Sequence, residues 1–348
     1  MPLQQLSRVF LPAIEAELER TVDLADGPGM EEFHLMQAYH LGWRGEDSGP
    51  EASGKRIRPQ LVLLATGASQ AVGAGNESPL SDDWRKGLPA AAAIELIHNF
   101  SLIHDDIQDN SPLRRGRPTV WKKWGIPQAI NAGDTMYALA FIALHRLEET
   151  CGPSIAMEAY QLLLQAILKL TQGQYLDISY EGRQDLTLDD YWPMVSGKTA
   201  ALLAACTEMG ALIGGASQPD RTAYRLFGFS LGLAFQAQDD LLGIWGDEAL
   251  TGKSADSDLV EGKKSLPVLF ALEQGGAFAR RWRQGPLMAA EVPELARQLE
   301  AEGARAYTQE KANQLTGQAL DALEQAHPGG EAGSALRELA LLLLKRNA

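Results

Sequence analysis

Between Ala90 and Asp109 the chain repeats apolar residues at three- and four-residue spacing, and the same period returns over 129–148, 155–178, 198–213, 222–242, 263–274 and 335–346. That is the period of a helix with one buried face. Strict alternation of β-branched residues is almost absent, and no series of hairpin signals appears, so a sheet has little to be built from. The pattern predicts an all-α fold. Gly-, Pro- and Ser-rich breaks fall at 42–54, 67–82, 214–220 and 327–333. None is long or biased enough to read as an interdomain linker, so a single helical domain over 1–348 is expected. The apolar pattern is thinnest over 276–306, where helices are hardest to assign.

The first of these helices ends in an unusual way. Residues 102–119 read LIHDDIQDNSPLRRGRPT, with Asp105, Asp106 and Asp109 on the last turn and Arg114 and Arg115 just beyond. Like charges one turn apart repel by roughly 0.2–0.5 kcal/mol per pair on an exposed helix, so a compensating charge is expected. At about 100° per residue, Asp105 and Asp109 share a face while Asp106 points aside. Two carboxylates on one face, with room for water, suit Mg²⁺, which takes the rest of its shell from substrate phosphates. A second apolar helix ends in the same way, FQAQDDLLG, with Asp239 leading.

The cations fall in matching clusters. Gly54-Lys55-Arg56-Ile57-Arg58-Pro59 sets Lys55 and Arg58 three apart, hence on one side of a helical turn, and Arg114 and Arg115 follow the first acids. Arginine offers a planar fork for phosphate oxygens and lysine a point charge. The net charge is −14, so concentrated cations point to a diphosphate and not to nucleic acid. Gly197-Lys198-Thr199 and Gly252-Lys253-Ser254 look like P-loop ends, but Trp192 and Asp247 stand where that motif needs glycine. No HExxH or CxxC marks zinc, and no serine or cysteine stands at a telling distance from His98 or His104.

Cys151 and Cys206 are the only cysteines, which excludes a disulfide framework and fits a reducing compartment. The N-terminus lacks a secretory pattern, and no stretch approaches 18 uninterrupted apolar residues. A soluble, cytoplasmic protein with no integral membrane segment is expected. At 45% hydrophobic and 22% charged residues, the composition supports a sizeable core.

Over roughly residues 50–270 the chain resembles the trans-isoprenyl diphosphate synthases, or polyprenyl synthetases. The matching pieces, in order, are GKRIRP (54–59), ELIHNFSLIHDDIQD (95–109), LRRGRPT (113–119), NAGD (131–134), GQYLD (173–177), GKT (197–199), FQAQDD (235–240), GD (246–247), TGK (251–253) and GKKSLP (262–267). The resemblance implies an all-α bundle around a central cavity, a homodimer, and three Mg²⁺ ions per active site. It makes Asp105, Asp109 and Asp239 metal ligands, supported by Asp106, with Asp240 in the catalytic set. Arg114, Lys198 and Lys263 would grip an allylic diphosphate, with Lys253 nearby. Lys55, Arg58, His98 and Arg115 would hold isopentenyl diphosphate, and Thr199, Gln236 and Asp177 would line the carbocation region. The implied reaction is Mg-dependent head-to-tail condensation to a linear all-trans prenyl diphosphate.

Two features qualify the resemblance. The second motif ends in Gly243 where the family has aspartate, and Asp247, one turn further on, is a candidate to substitute through water. Gly243 also favours an alternative reading, a non-catalytic regulatory subunit of a prenyl synthase. A terpene cyclase, another alternative, would not need GKRIRP and RRG. For product length, Phe100 lies five positions before Asp105 and Ser101 four before it. Phe100 is thus about one 5.4 Å turn below the acids. A bulky side chain there acts as a floor in this family, and the arrangement resembles geranylgeranyl diphosphate synthases, with a farnesyl or longer product as the alternative.

Overall fold

Helix follows the apolar period nearly everywhere in the computed structural model, which describes residues 2–72, 78–246 and 257–344. The chain divides into two compact units: the residues up to Leu164 with Cys206–Arg221 and His327–Leu336, and Gln165–Ala205 with Thr222–Ala326 and the residues from Arg337 on.

The first unit opens with α1 (Pro2–Val22), α2 (Glu31–His40), the single turn α3 (Pro50–Ser53) and α4 (Ile57–Gln70). It continues with α5 (Leu88–Gln108), the strand pair β1 (Leu113–Arg114) and β2 (Arg117–Pro118), α6 (Val120–Trp124), α7 (Ile126–His145), α8 (Leu147–Cys151) and the first part of α9 (Pro153–Tyr180). α4 is buried from Pro59 to Ser69 and α5 from Pro89 to Ile97. Helices buried on every side belong at the centre of a unit, and Ala90–Ala93 let neighbours approach α5 closely. From α1, Phe10, Ile14 and Leu18 are fully buried at four-residue spacing, and the Phe10 ring lies 4.6 Å from Trp84. Burial of each such side chain contributes about 1.5–3 kcal/mol.

The strand pair departs from the helical expectation. Leu113 pairs with Pro118 and Arg114 with Arg117, joined by Arg115 and Gly116, both left-handed at φ 52° and 75°. Two left-handed residues match the twist of a two-residue hairpin. With only two residues per strand, no alternation could announce it.

The second unit takes the rest of α9, then α10 (Leu188–Val195), a π-helical turn at Ser196–Ala200, the start of α11 (Ala201–Ile213) and most of α12 (Gln218–Trp245). After it come α13 (Ser257–Val260), α14 (Leu266–Gln274), α15 (Ala277–Trp282), α16 (Val292–Ala301), α17 (Ala304–Gln325) and the end of α18 (Gly330–Leu344). α14 serves two clusters, Leu266 and Leu269 packing with Tyr191 and Leu233, and Val268 and Ala271 packing with Ile244, Leu259 and Phe278. The weakly patterned stretch 276–306 does form helices. Val292, Leu295 and Leu299 are a narrow buried stripe at helical spacing among charged neighbours. Among the described residues no helix is long and apolar enough to cross a membrane.

Candidate active site

In the first unit, the Asp109 N–H donates to the Asp105 carbonyl at 2.8 Å, so the final turn of α5 is intact. Asp105 is half-buried and Asp109 exposed, while Asp106 is 2% exposed and turned inward. Arg114 Nε donates to both Asp106 oxygens at 2.8 and 3.0 Å, and Nη2 lies 2.8 Å from Oδ1. The hairpin brings Arg114 back to the helix end. Burial raises the Asp106 carboxyl above its ordinary range, although Arg114 pulls it down. Compensation for one of the three acids therefore comes from inside the chain.

The GKRIRP segment is a bent entry to α4 and not a helical turn. Gly54 has φ 78° and Arg56 φ 46°, and the helix begins only at Ile57. Lys55 is thus exposed ahead of the helix, and the expected shared side with Arg58 is not formed. The bend turns Arg56 inward, 3% exposed, where it donates to Glu15 (2.7 Å), Glu95 (3.0 Å) and the Leu41 carbonyl (3.1 Å). The Arg115 guanidinium lies over Gly54, 2.7 Å from where a Cβ would stand, and donates to the Ala52 carbonyl at 2.7 Å. GKRIRP and LRRGRP are therefore one physical structure.

Arg58 Nη1 lies 3.1 Å from His98 Nε2. Arginine can only donate, so His98 accepts there and is neutral. Burial pushes its imidazole well below the ordinary value, helped by Arg58, Arg115 and Arg114. His40 is pushed down likewise by burial and by Arg114, Arg115, Arg56 and Arg117. Among the described residues, the buried Arg58 Nε has no hydrogen-bond partner. Five guanidinium groups thus bear on two neutral imidazoles, a concentration of positive charge of the kind that attracts an anion.

Beneath the acids, Phe100 begins a run of rings. Its centroid is 5.3 Å from Tyr137, Tyr137 is 5.1 Å from Phe141, and Phe141 stacks on Tyr160 at 5.9 Å. Ser101 is buried, its hydroxyl donating to the His98 carbonyl at 2.8 Å.

In the second unit, α9 crosses the π-helical turn at two glycines. A Cβ on Gly197 would stand 2.5 Å from the Lys169 carbonyl and 2.8 Å from Gly173 Cα. This close approach lets Lys198 pair with Asp177. Thr199 Oγ1 donates to Gln236 Oε1 (3.0 Å), and Gln236 Nε2 donates to Asp240 Oδ1 (3.0 Å). Asp240 Oδ2 accepts from the Tyr191 hydroxyl and the Leu266 N–H, both at 2.8 Å. Burial raises Asp240 to about 6 against these bonds. Asp239, beside it, is exposed. Lys263 Nζ bonds Asp258 at 2.8 Å and Glu261 at 2.9 Å. Lys253 and Asp247 lie outside the described residues.

The Polyprenyl synthetase family model matches residues 48–299. The chain belongs to that family. The synthase is 38% identical to a (2E,6E)-farnesyl diphosphate synthase of Mycobacterium bovis, over 89% of this chain and 85% of that one. It is 40% identical to a geranylgeranyl diphosphate synthase of Mycobacterium tuberculosis, over 77% and 73%. A polyprenyl synthetase from Streptomyces coelicolor A3(2) superposes with TM-score 0.83 at 35% identity, covering 98% of each chain. The protein is a trans-prenyltransferase, a prenyl diphosphate synthase, and the reading as a non-catalytic subunit gives way.

Sequence reasoning missed Arg56, Glu95, Tyr191 and Asp258 in the synthase. Glu95 in an apolar run was a legible signal, since a lone acid at a buried helical position needs a cation. Asp258 had no local signal. Among the described residues no group of three His, Cys, Asp or Glu side chains is gathered in metal-holding geometry.

Proposed function

We propose that the synthase condenses isopentenyl diphosphate with allylic diphosphates to give geranylgeranyl diphosphate, with Mg²⁺ as cofactor. The observation that carries the twenty-carbon length is the ring series Phe100, Tyr137, Phe141 and Tyr160, which starts one turn below Asp105. A continuous aromatic floor stops a growing apolar chain more firmly than one side chain would. The relatives bear both farnesyl and geranylgeranyl names, and a fifteen-carbon product is the second reading.

The residues fit Mg²⁺. Asp105 and Asp109 present hard oxygens on one face with Asp106 turned away, and two carboxylates with room for water suit this ion. In this reading Asp105, Asp109 and Asp239 are its ligands, the resemblance implying three ions per site. When bound, Mg²⁺ neutralises the diphosphate and eases its departure from the allylic carbon.

The chain's own groups do the rest. Arg58 and Arg115, beside neutral His98, hold isopentenyl diphosphate, with Lys55 reaching in from the bend. Arg114, Lys198 and Lys263 hold the allylic diphosphate in this reading, and Lys253, which the resemblance adds to them, lies outside the described residues. Lys198 reaches it by exchanging its pairing with Asp177. The Thr199–Gln236 pair directs oxygen lone pairs towards the developing cation, and Asp240 fixes Gln236. The released diphosphate takes the proton lost from the isopentenyl carbon.

A homodimer in the cytoplasm is part of the proposal. Met157, Leu164, Leu168 and Tyr175 are exposed along α9 at alternating seven- and four-residue spacing, the stripe by which helices pair. The deciding experiment incubates the purified protein with isopentenyl diphosphate and each allylic diphosphate of five, ten and fifteen carbons, with Mg²⁺ and with a chelator. A chelator-sensitive twenty-carbon alcohol after dephosphorylation is the expected result. A fifteen-carbon product, or one longer than twenty carbons, overturns the proposed length.

A further inference from the structure

Gly243 stands one helical turn after Asp239, where the second acidic motif would close with a carboxylate. It lies inside α12, whose backbone any residue adopts, so the requirement for glycine comes from the space above its Cα. A Cβ built there would fall on Oδ2 of Asp258 and stand 2.7 Å from its Cγ. The space left by the missing side chain is filled by a carboxylate from another element.

That placement is secured by packing and by bonding. Leu259, next in sequence, is fully buried with Ile244 and Val268 and pins α13 against the end of α12. Asp258 Oδ1 accepts from Lys263 Nζ at 2.8 Å, and its carbonyl accepts from the Lys263 N–H at 3.0 Å. The Asp258 side chain is 13% exposed.

We infer that Asp258 supplies, from α13, the carboxylate that the second motif lacks at position 243, and serves with Asp239 in holding Mg²⁺ against the diphosphate. This rests on the reaction proposed above. Restoring the motif by Gly243→Asp would set two carboxylates in one place, displacing Asp258 and repairing nothing. Residue 243 and residue 258 are alternatives, and this chain uses the second.

The test is calorimetric titration of inorganic diphosphate, with and without Mg²⁺, into the wild type, Asp258→Asn, Gly243→Asp and the double variant Gly243→Asp/Asp258→Ala. Melting curves confirm that each is folded. Asp258→Asn is expected to lose roughly 10- to 100-fold in Mg-dependent affinity, with metal-free binding unchanged or stronger. Gly243→Asp is expected to weaken binding too, and the double variant, which has room for the new carboxylate, to bind more tightly than either. Wild-type affinity in Asp258→Asn overturns the inference, as does tighter binding by Gly243→Asp alone. Equal weakening with and without Mg²⁺ also overturns it, leaving Asp258 as a holder of Lys263. A wild type with no Mg-dependent diphosphate binding overturns the proposed function and this inference with it.

Discussion

Arg58 Nη1 donates to His98 Nε2 across 3.1 Å, a bond that needs the neutral imidazole that burial and the neighbouring arginines already favour. A neutral His98 lets the guanidinium keep its charge for an anion. It also makes stability depend on pH. His98 is pushed well below 6.5 in the fold but titrates near 6.5 when unfolded, so below that pH the unfolded chain binds more protons. The His98 contribution is complete above about 6.5 and is lost as pH falls towards the depressed value. The melting temperature should therefore fall between pH 7 and 5. Since His40 acts in the same sense, His98→Gln should flatten the dependence only in part.

Arg56 is a structural cation inside a binding motif. Its guanidinium is buried between Glu15 and Glu95, and removing one partner of a buried pair costs about 3–5 kcal/mol. Arg56→Ala should lower the unfolding free energy by that amount in urea titrations. Lys55→Ala, on an exposed side chain, should leave stability within about 0.5 kcal/mol and raise the KM for isopentenyl diphosphate.

Asp240 joins three bonds in one buried carboxyl. Asp240→Ala leaves the Tyr191 hydroxyl and the Leu266 N–H without their acceptor, at about 1–3 kcal/mol for each group. It also releases Gln236. A lower urea midpoint together with a reduced kcat is expected. Tyr191→Phe, which removes one bond, should cost about 1 kcal/mol.

The glycine crossing of Gly173 and Gly197 positions Lys198. Gly197→Ala sets a methyl 2.5 Å from the Lys169 carbonyl, and overpacking of this kind costs about 1–3 kcal/mol. Stability and the affinity for allylic diphosphate should fall together. Lys198→Gln should reduce affinity while leaving the melting temperature nearly unchanged.

Product length should respond to the ring series. Phe100→Ala opens the top of the floor and should shift products beyond twenty carbons. Ser101→Phe, one position nearer the acids, should shorten them to fifteen. Mass analysis of the dephosphorylated alcohols reads both.

Much of this was legible without coordinates. The three-and-four period marked the helices, since a buried face must recur at the helical pitch whatever the neighbours are. The 100° step placed Asp105 and Asp109 together and Asp106 aside, and the structure shows Asp106 buried. The order of the acidic and basic pieces pointed to the family. The tertiary structure decided what depends on residues distant in sequence. Arg56 bends the entry to α4 because Glu15 and Glu95 lie beside it, so Lys55 never joins the helix. Gly243 reads as a lost acid until Asp258 is found against it. Local periodicity records which face of an element is buried, but the partner that a buried charge or a vacated space will meet is set by long-range packing, and no spacing within one helix encodes it.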